Sequence, residues 1–253
     1  MSINEENSHQ TWIRRPDLNK VADGIWELGF IYQSGKVYFM DNHSGAAWCW
    51  LHHLDSQQKY GFFHIDTHDD LVSNESPAYM RSLLLNKEMT IDEYCSIQTG
   101  MDGSPDVKPL FRYDNFIANL NHVFPSFFNT NIFSINEPRQ KVPPGFKINR
   151  FIEPNELLDL FPAIIKSEEQ WIIDLDIDYF FQEEGNDNYV QFLDNDYIDE
   201  LCEKICMAKD SIAVITIAMS QYFCGGWENS KQVTERIAKN LDISIDLPED
   251  YDE

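Results

Sequence analysis

The alternation of apolar and polar positions divides the chain into short strands and amphipathic helices. VYFMD (37–41) is an apolar run of strand length. SGAAWCWLHHL (44–54) follows, opened by Ser44, with Ala47, Trp50, Leu51 and Leu54 falling on one helical face. YGFFHID (60–66) reads as a second strand. Strand, helix and strand in about 30 residues make a βαβ unit, so the two strands should run parallel. TIDEYCSIQTGM begins with Thr90 and Glu93 at capping-box spacing, which predicts a short helix, and 97–110 reads as loop.

NTNIFSI (129–135) predicts a strand, VPPG (142–145) a turn, and WIIDLDIDYFF (171–181) another strand. DNDYIDELCEKICMAKD (194–210) predicts a helix capped by Asp194, Asn195 or Asp196. IAVITIAMS (212–220) has the β-branched content of a buried strand, and GWENSKQVTERIAKNL (226–241) predicts a last helix. Residues 1–24 read as a loosely held lead-in and 242–253 as a solvated acidic tail. There is no repeat and no low-complexity linker. The pattern predicts a single α/β domain over 1–253, three-layer αβα with a mainly parallel sheet.

Charge narrows the function. Nineteen Lys and Arg stand against 43 Asp and Glu, a formal −24, which argues against nucleic acid and suits a cationic partner. The start, MSINEENSHQ, lacks the pattern of a signal peptide, and no run is long and apolar enough for a membrane span. The five cysteines are scattered, with Cys202 and Cys206 four apart as a buried thiol pair. The expectation is a cytoplasmic protein with reduced thiols. No exposed apolar stripe sets an oligomeric state.

The chemistry lies in FFHIDTHDDL (62–71) and WIIDLDIDYFF. Asp66, His68 and Asp70 share a face if strand geometry persists past the strand, and they sit where parallel sheets place ligands. Asp174, Asp176 and Asp178 repeat that spacing. Carboxylates crowded on an apolar strand repel one another, and divalent cations would remove that cost. His43, ending MDNH, adds an imidazole at the same sheet edge. Oxygen-rich sites with one or two imidazoles suit manganese or iron better than a thiolate-rich zinc site. His64 and Asp174 share the parity one step deeper, Asp174 as support for a ligand and His64 as core polarity.

HIDTHDD resembles the Asp-Ala-His-x-Asp motif of the arginase, or ureohydrolase, superfamily. DLDID resembles its Ser-x-Asp-x-Asp motif, and FMDNHS its Gly-Gly-Asp-His-Ser segment. The wider match, DNH…HIDTHDDL…DLDIDYFF…TIAMSQYFCGGWEN, is similar to a divergent branch that contains the bacterial peptide arginases. The resemblance spans about 36–229 and implies an arginase/deacetylase-like fold with two manganese ions, ahead of iron or zinc. It implies that His43 and Asp70 bind the first metal, His68 and Asp178 the second, and that Asp66 and Asp176 bridge. Asp69 is the alternative to Asp70, which the motif and strand alternation favour. The implied activity is hydrolysis of arginine residues in a ribosomally made precursor peptide to ornithine and urea, with Asp70 orienting the attacking water.

Two departures stand out. Free-arginine arginases carry a histidine soon after Asp-x-His-x-Asp, whereas the next one here is His122. They also carry a glutamate after a late strand, where IAMSQYFCGGWEN has none until Glu228. Ser220, Tyr222 and Glu228 are the candidate substrate-binding residues, with Gly225 and Gly226 permitting an unusual backbone path. The alternatives are hydrolysis of a small guanidino compound or acetylated amine, and a non-catalytic acidic module that binds a basic partner.

Overall fold

The computed structural model describes residues 3, 10–16, 24–73, 77–99, 108–137, 142–166, 169–185 and 188–249. The apolar runs form the strands β1 (Gln10–Arg14), β2 (Ile31–Ser34), β3 (Val37–Met40), β4 (Tyr60–Asp66), β5 (Phe128–Ile135), β6 (Arg150–Phe151) and β7 (Trp171–Asp176). They are followed by β8 (Phe181–Glu183), β9 (Tyr189–Gln191) and β10 (Ile212–Ala218). Among the described residues, strands β8 and β9 pair only with each other, as an antiparallel hairpin outside the main sheet. The other eight lie in the order β1-β2-β3-β10-β7-β4-β5-β6. Every pairing from β3 across to β6 is parallel, and β1 and β2 close one edge antiparallel. The expected parallel direction of β3 and β4 holds, although β10 and β7 lie between them.

Period-two alternation sends side chains to two layers. Phe63, Ile65, Ile173, Leu175, Ile215 and Ile217 pack with α5 (Pro154–Ile165), α6 (Asn195–Met207) and α7 (Trp227–Asn240). Phe62, Ile172 and Val214 point the other way, toward α1 (Ala46–His53), α3 (Ile91–Cys95) and α4 (Phe116–Val123), with Met80 of α2 (Pro77–Ser82) beside them. Helices therefore cover both faces of a large, mostly parallel sheet. One strand position needs glycine. A Cβ on Gly61 would lie 2.5 Å from the Trp171 ring on the neighbouring strand, so glycine lets that indole lie flat across β4.

The capping box at Thr90 and Glu93 is present, and Asp194 caps α6. Gln98 and Pro109 form an isolated bridge, while 100–107 of the expected loop lies outside the described residues. Several boundaries differ from expectation. The run 171–181 is not one strand: β7 ends at Asp176, whose carboxylate accepts from Asp178 N, and Ile177–Phe180 turns as a 3-10 helix. The helix expected from Ser44 begins with a 3-10 turn, His43–Gly45, capped by the Asn42 side chain. The lead-in holds a sheet strand, because Trp12 of β1 packs edge-on against Phe30 and Tyr32. The acidic tail is packed as far as 249: Ile243 and Leu247 are buried and Trp227 donates to the Pro248 carbonyl. Residues 17–23 and 250–253 lie outside the described residues.

All five cysteines are free thiols, with Cys202 and Cys206 both buried. Among the described residues no helix is long and apolar enough to cross a membrane.

Candidate metal centre

The α1/α4 face of the sheet starts apolar and turns polar at the carboxyl ends of the strands. On β4 the sequence of inward residues is Phe62, His64, Asp66, and on β7 it is Ile172, Asp174, Asp176. All four polar groups are buried. His43 enters from the 3-10 turn after β3. His68, Asp69 and Asp70 come from the turn after β4, which leaves strand geometry: Asp70 has φ 49°. The expected alternation past Asp66 therefore fails, and a left-handed residue, which aspartate tolerates better than most, turns Asp70 toward the site. Asp69 Oδ1 instead accepts from Leu71 N within the turn (3.2 Å).

His43 Nδ1 is the focus of a first group. It lies 3.0 Å from Asp176 Oδ2, 3.1 Å from Asp70 Oδ2 and 3.2 Å from Asp66 Oδ2. The other ring nitrogen, Nε2, sits 3.0 Å from Asp174 Oδ1. Asp174 also accepts from Thr216 Oγ1 (2.7 Å) and stands 2.9 Å from His64 Nδ1. A carboxylate on one ring nitrogen fixes the tautomer and leaves the other free for a metal. In the second group, His68 Nδ1 lies 3.1 Å from Asp178 Oδ2 and 3.5 Å from Asp66 Oδ1. Asp66 thus belongs to both groups. Asp178 Oδ1 accepts from Thr67 N (3.1 Å), and Asp176 Oδ2 from Ser220 Oγ (2.5 Å).

Three of these atoms, His43 Nδ1, Asp66 Oδ2 and Asp178 Oδ2, are buried, and their short contacts to one another's groups lack hydrogen-bond geometry. Such atoms are costly unless something else satisfies them. The potential ligand atoms of His43, Asp66 and Asp176 lie within 4.8 Å of one another, as do those of Asp66, His68 and Asp178. Two further sets meet the same limit, His64 with Asp66 and Asp70, and His43 with His64 and Asp174. In the last set Asp174 faces both imidazoles and Thr216, so it serves as their anchor. An oxygen-rich donor set with imidazole and no thiolate fits a divalent cation.

The electrostatics agree with that fit. Burial, reinforced by the charge of Asp66, pushes the Asp70 carboxyl up to about 7 and raises Asp176. Burial and the charges of Asp176 and Asp66 raise Asp178 well above the carboxylate range. Burial would also raise Asp66, but the flanking imidazoles His43, His68 and His64 outweigh it and hold the group low. For His43 and His68 burial favours the neutral ring, yet the facing carboxylates win and raise both. Protons occupy this cluster in the absence of a cation, and metal binding would displace them.

The residues proposed for substrate contact are placed differently. Ser220, itself left-handed at φ 41°, spends its hydroxyl on Asp176. Tyr222 is 41% exposed. Glu228, in the first turn of α7, accepts from Gln232. Gly225 and Gly226 do take positive φ, 77° and 107°. A cleft of about 620 Å³ opens beside His68 and Asp178, and none of Ser220, Tyr222 or Glu228 is among its described lining. Its walls come from segments far apart in sequence, which no local motif joins. Phe223 packs edge-on to His68 at 5.3 Å and against Tyr113 at 5.7 Å, bounding the metal site on that side.

No protein-family model matches the chain, and no curated protein matches it.

Proposed function

We propose that the chain is an arginase-like hydrolase with two metal ions, acting on arginine residues of a precursor peptide to give ornithine and urea. The observation that carries this reading is the pair of ligand groups sharing Asp66, with buried, unbonded atoms facing into them. On this reading His43, Asp66, Asp70 and Asp176 would hold one manganese ion, and Asp66, His68, Asp176 and Asp178 would hold the other. When bound, the metals supply a water acidic enough to act as nucleophile near neutral pH and a Lewis acid for the substrate.

The chain's residues do the rest. Asp174 orients His43, while Thr67 N and Ser220 Oγ orient Asp178 and Asp176. Asp70 Oδ2 faces the centre, where it can accept a hydrogen bond from the attacking water. Water adds to the guanidinium carbon, the bond to the side-chain nitrogen breaks, and both water protons end on that nitrogen, giving the ornithine ammonium and urea. The guanidinium stays cationic throughout binding, and a chain of net charge −24 draws it in.

The test is incubation of the manganese-reconstituted protein with an arginine-containing peptide, free arginine and agmatine. Urea and the loss of one CH2N2 per arginine are expected with the peptide. Faster turnover of free arginine or agmatine sinks the peptide assignment. Failure to retain about one equivalent of manganese, iron or zinc supports the non-catalytic acidic module instead.

A further inference from the structure

The second ligand group reaches solvent through His68. The His68 side chain is 33% exposed, whereas Asp66 and Asp178 are buried. The opening leads into the cleft of about 620 Å³, whose described lining includes Glu137, Glu153 and Glu183 and no lysine or arginine. These glutamates follow β5, precede α5 and belong to the β8–β9 hairpin, so three separate elements turn the same charge toward one space. Glu137 Oε2 lies 3.9 Å from His68 Nε2. Phe192, 41% exposed, and Phe223 add aromatic surface.

One acceptor in the lining of the cleft makes no hydrogen bond: Asn136 Oδ1, whose neighbouring Nδ2 donates to the Tyr179 carbonyl at 2.8 Å. Asp178 Oδ2, also in the lining, faces His68 Nδ1 at 3.1 Å.

We propose that this cleft is a binding groove for a basic stretch of polypeptide. The arginine to be hydrolysed enters beside His68, and neighbouring residues lie along Glu153, Glu183 and Phe192. The identity of the reacting residue rests on the hydrolase reading above; the groove and its charge selection do not.

Three features select this occupant. The volume falls within the roughly 300–1,000 Å³ of sites that enclose whole ligands, more room than one side chain needs. A free amino acid would bring an α-carboxylate into a lining that offers it carboxylates and, among the described residues, no cationic Lys or Arg. A residue inside a peptide has that carboxylate tied up as an amide. The free Asn136 oxygen and the three carboxylates match the fan of N–H donors on a guanidinium, whose plane also stacks on exposed aromatic rings.

The experiment uses the full chain, metal-free and manganese-loaded, and an end-blocked, dye-labelled peptide of alternating glycine and arginine. Fluorescence anisotropy reads its Kd. Replacing the arginines by neutral citrulline should weaken binding about tenfold, and the double variant E153Q/E183Q about five- to tenfold, with circular dichroism and manganese content unchanged. Phe192→Ala should weaken it by a smaller factor. Equal binding of the citrulline peptide, wild-type affinity in the double variant, or equally good competition by free arginine would each overturn the groove. Urea release followed in parallel separates the two readings. Binding without urea refutes the hydrolase and leaves the groove. Urea release that ignores both glutamates refutes the groove and leaves the hydrolase.

Discussion

The two faces of the central sheet use the same strands in opposite ways. Toward α5, α6 and α7 the strands stay apolar to their last residues, as in Phe63–Ile65 and Ile173–Leu175. Toward α1 and α4 they turn polar after one apolar step, at His64–Asp66 and Asp174–Asp176. Burial is equally complete on both sides. The first face buys stability through packed area. The second crowds buried carboxylates together, at a desolvation cost of roughly several kcal/mol per charge that a bound cation would offset. Chemistry and cohesion are thus divided by the pleat, one residue apart along each strand.

Substitutions on opposite faces of one strand should separate the two roles. Asp66→Ala, which removes the group common to both ligand sets, should abolish metal loading by elemental analysis while circular dichroism stays native. Retained loading would break the division. Phe63→Ala, three positions earlier and facing the other layer, should cost about 3–5 kcal/mol in denaturant unfolding and leave metal stoichiometry intact. Asp174→Asn should weaken metal affinity about 10–100-fold, because Asp174 orients His43 through Nε2 and leaves Nδ1 to face the centre. An unchanged affinity would remove Asp174 from the site.

The smallest effect is in pH. In the metal-free protein Asp70 holds its proton up to about 7, against 3.8 in an unfolded chain, so the fold binds more protons than the unfolded state. Asp70 therefore takes stability away from the metal-free protein as pH rises through that window. A metal needs the deprotonated carboxylate, so its affinity should move the other way. Metal titrations at about pH 6 and about pH 8 should show tighter binding and a larger rise in Tm at the higher value. A flat profile would mean that no ligand carries a displaceable proton.

Much of this was legible because apolar runs and caps signal locally. β4, β7, β10, α6 and α7 all announce themselves, and Asp66 closes β4 where the pattern predicts, whereas β7 ends at Asp176, short of the expected 181. Asp70 and Asp178 were found through a strand alternation that the structure does not use: one lies in a left-handed turn, the other in a 3-10 helix. α5 was hidden by prolines, Pro154 at its start and Pro162 inside it. α4 was hidden because nearly every residue of it is buried, which erases the amphipathic period. In the tail, Ile243 and Leu247 alternate with charge and read as solvent-facing until α7 is in place beside them. Glu137, Glu153 and Glu183 carry no joint signal, since only the fold brings them together.

Asp174 has a consequence for folding as well as for metal binding. It sits on β7 in register with His64 on β4 and Thr216 on β10, and it also meets His43 at the end of β3. Four adjacent strands are therefore indexed on one carboxylate. If β7 slid by a single residue, Asp174 and Asp176 would swing into the apolar layer and Leu175 into the polar one. There the two carboxylates would find isoleucine and phenylalanine in place of imidazole and hydroxyl. The polar stack works as a ratchet tooth for the sheet, making the misaligned pairings far worse than the native one.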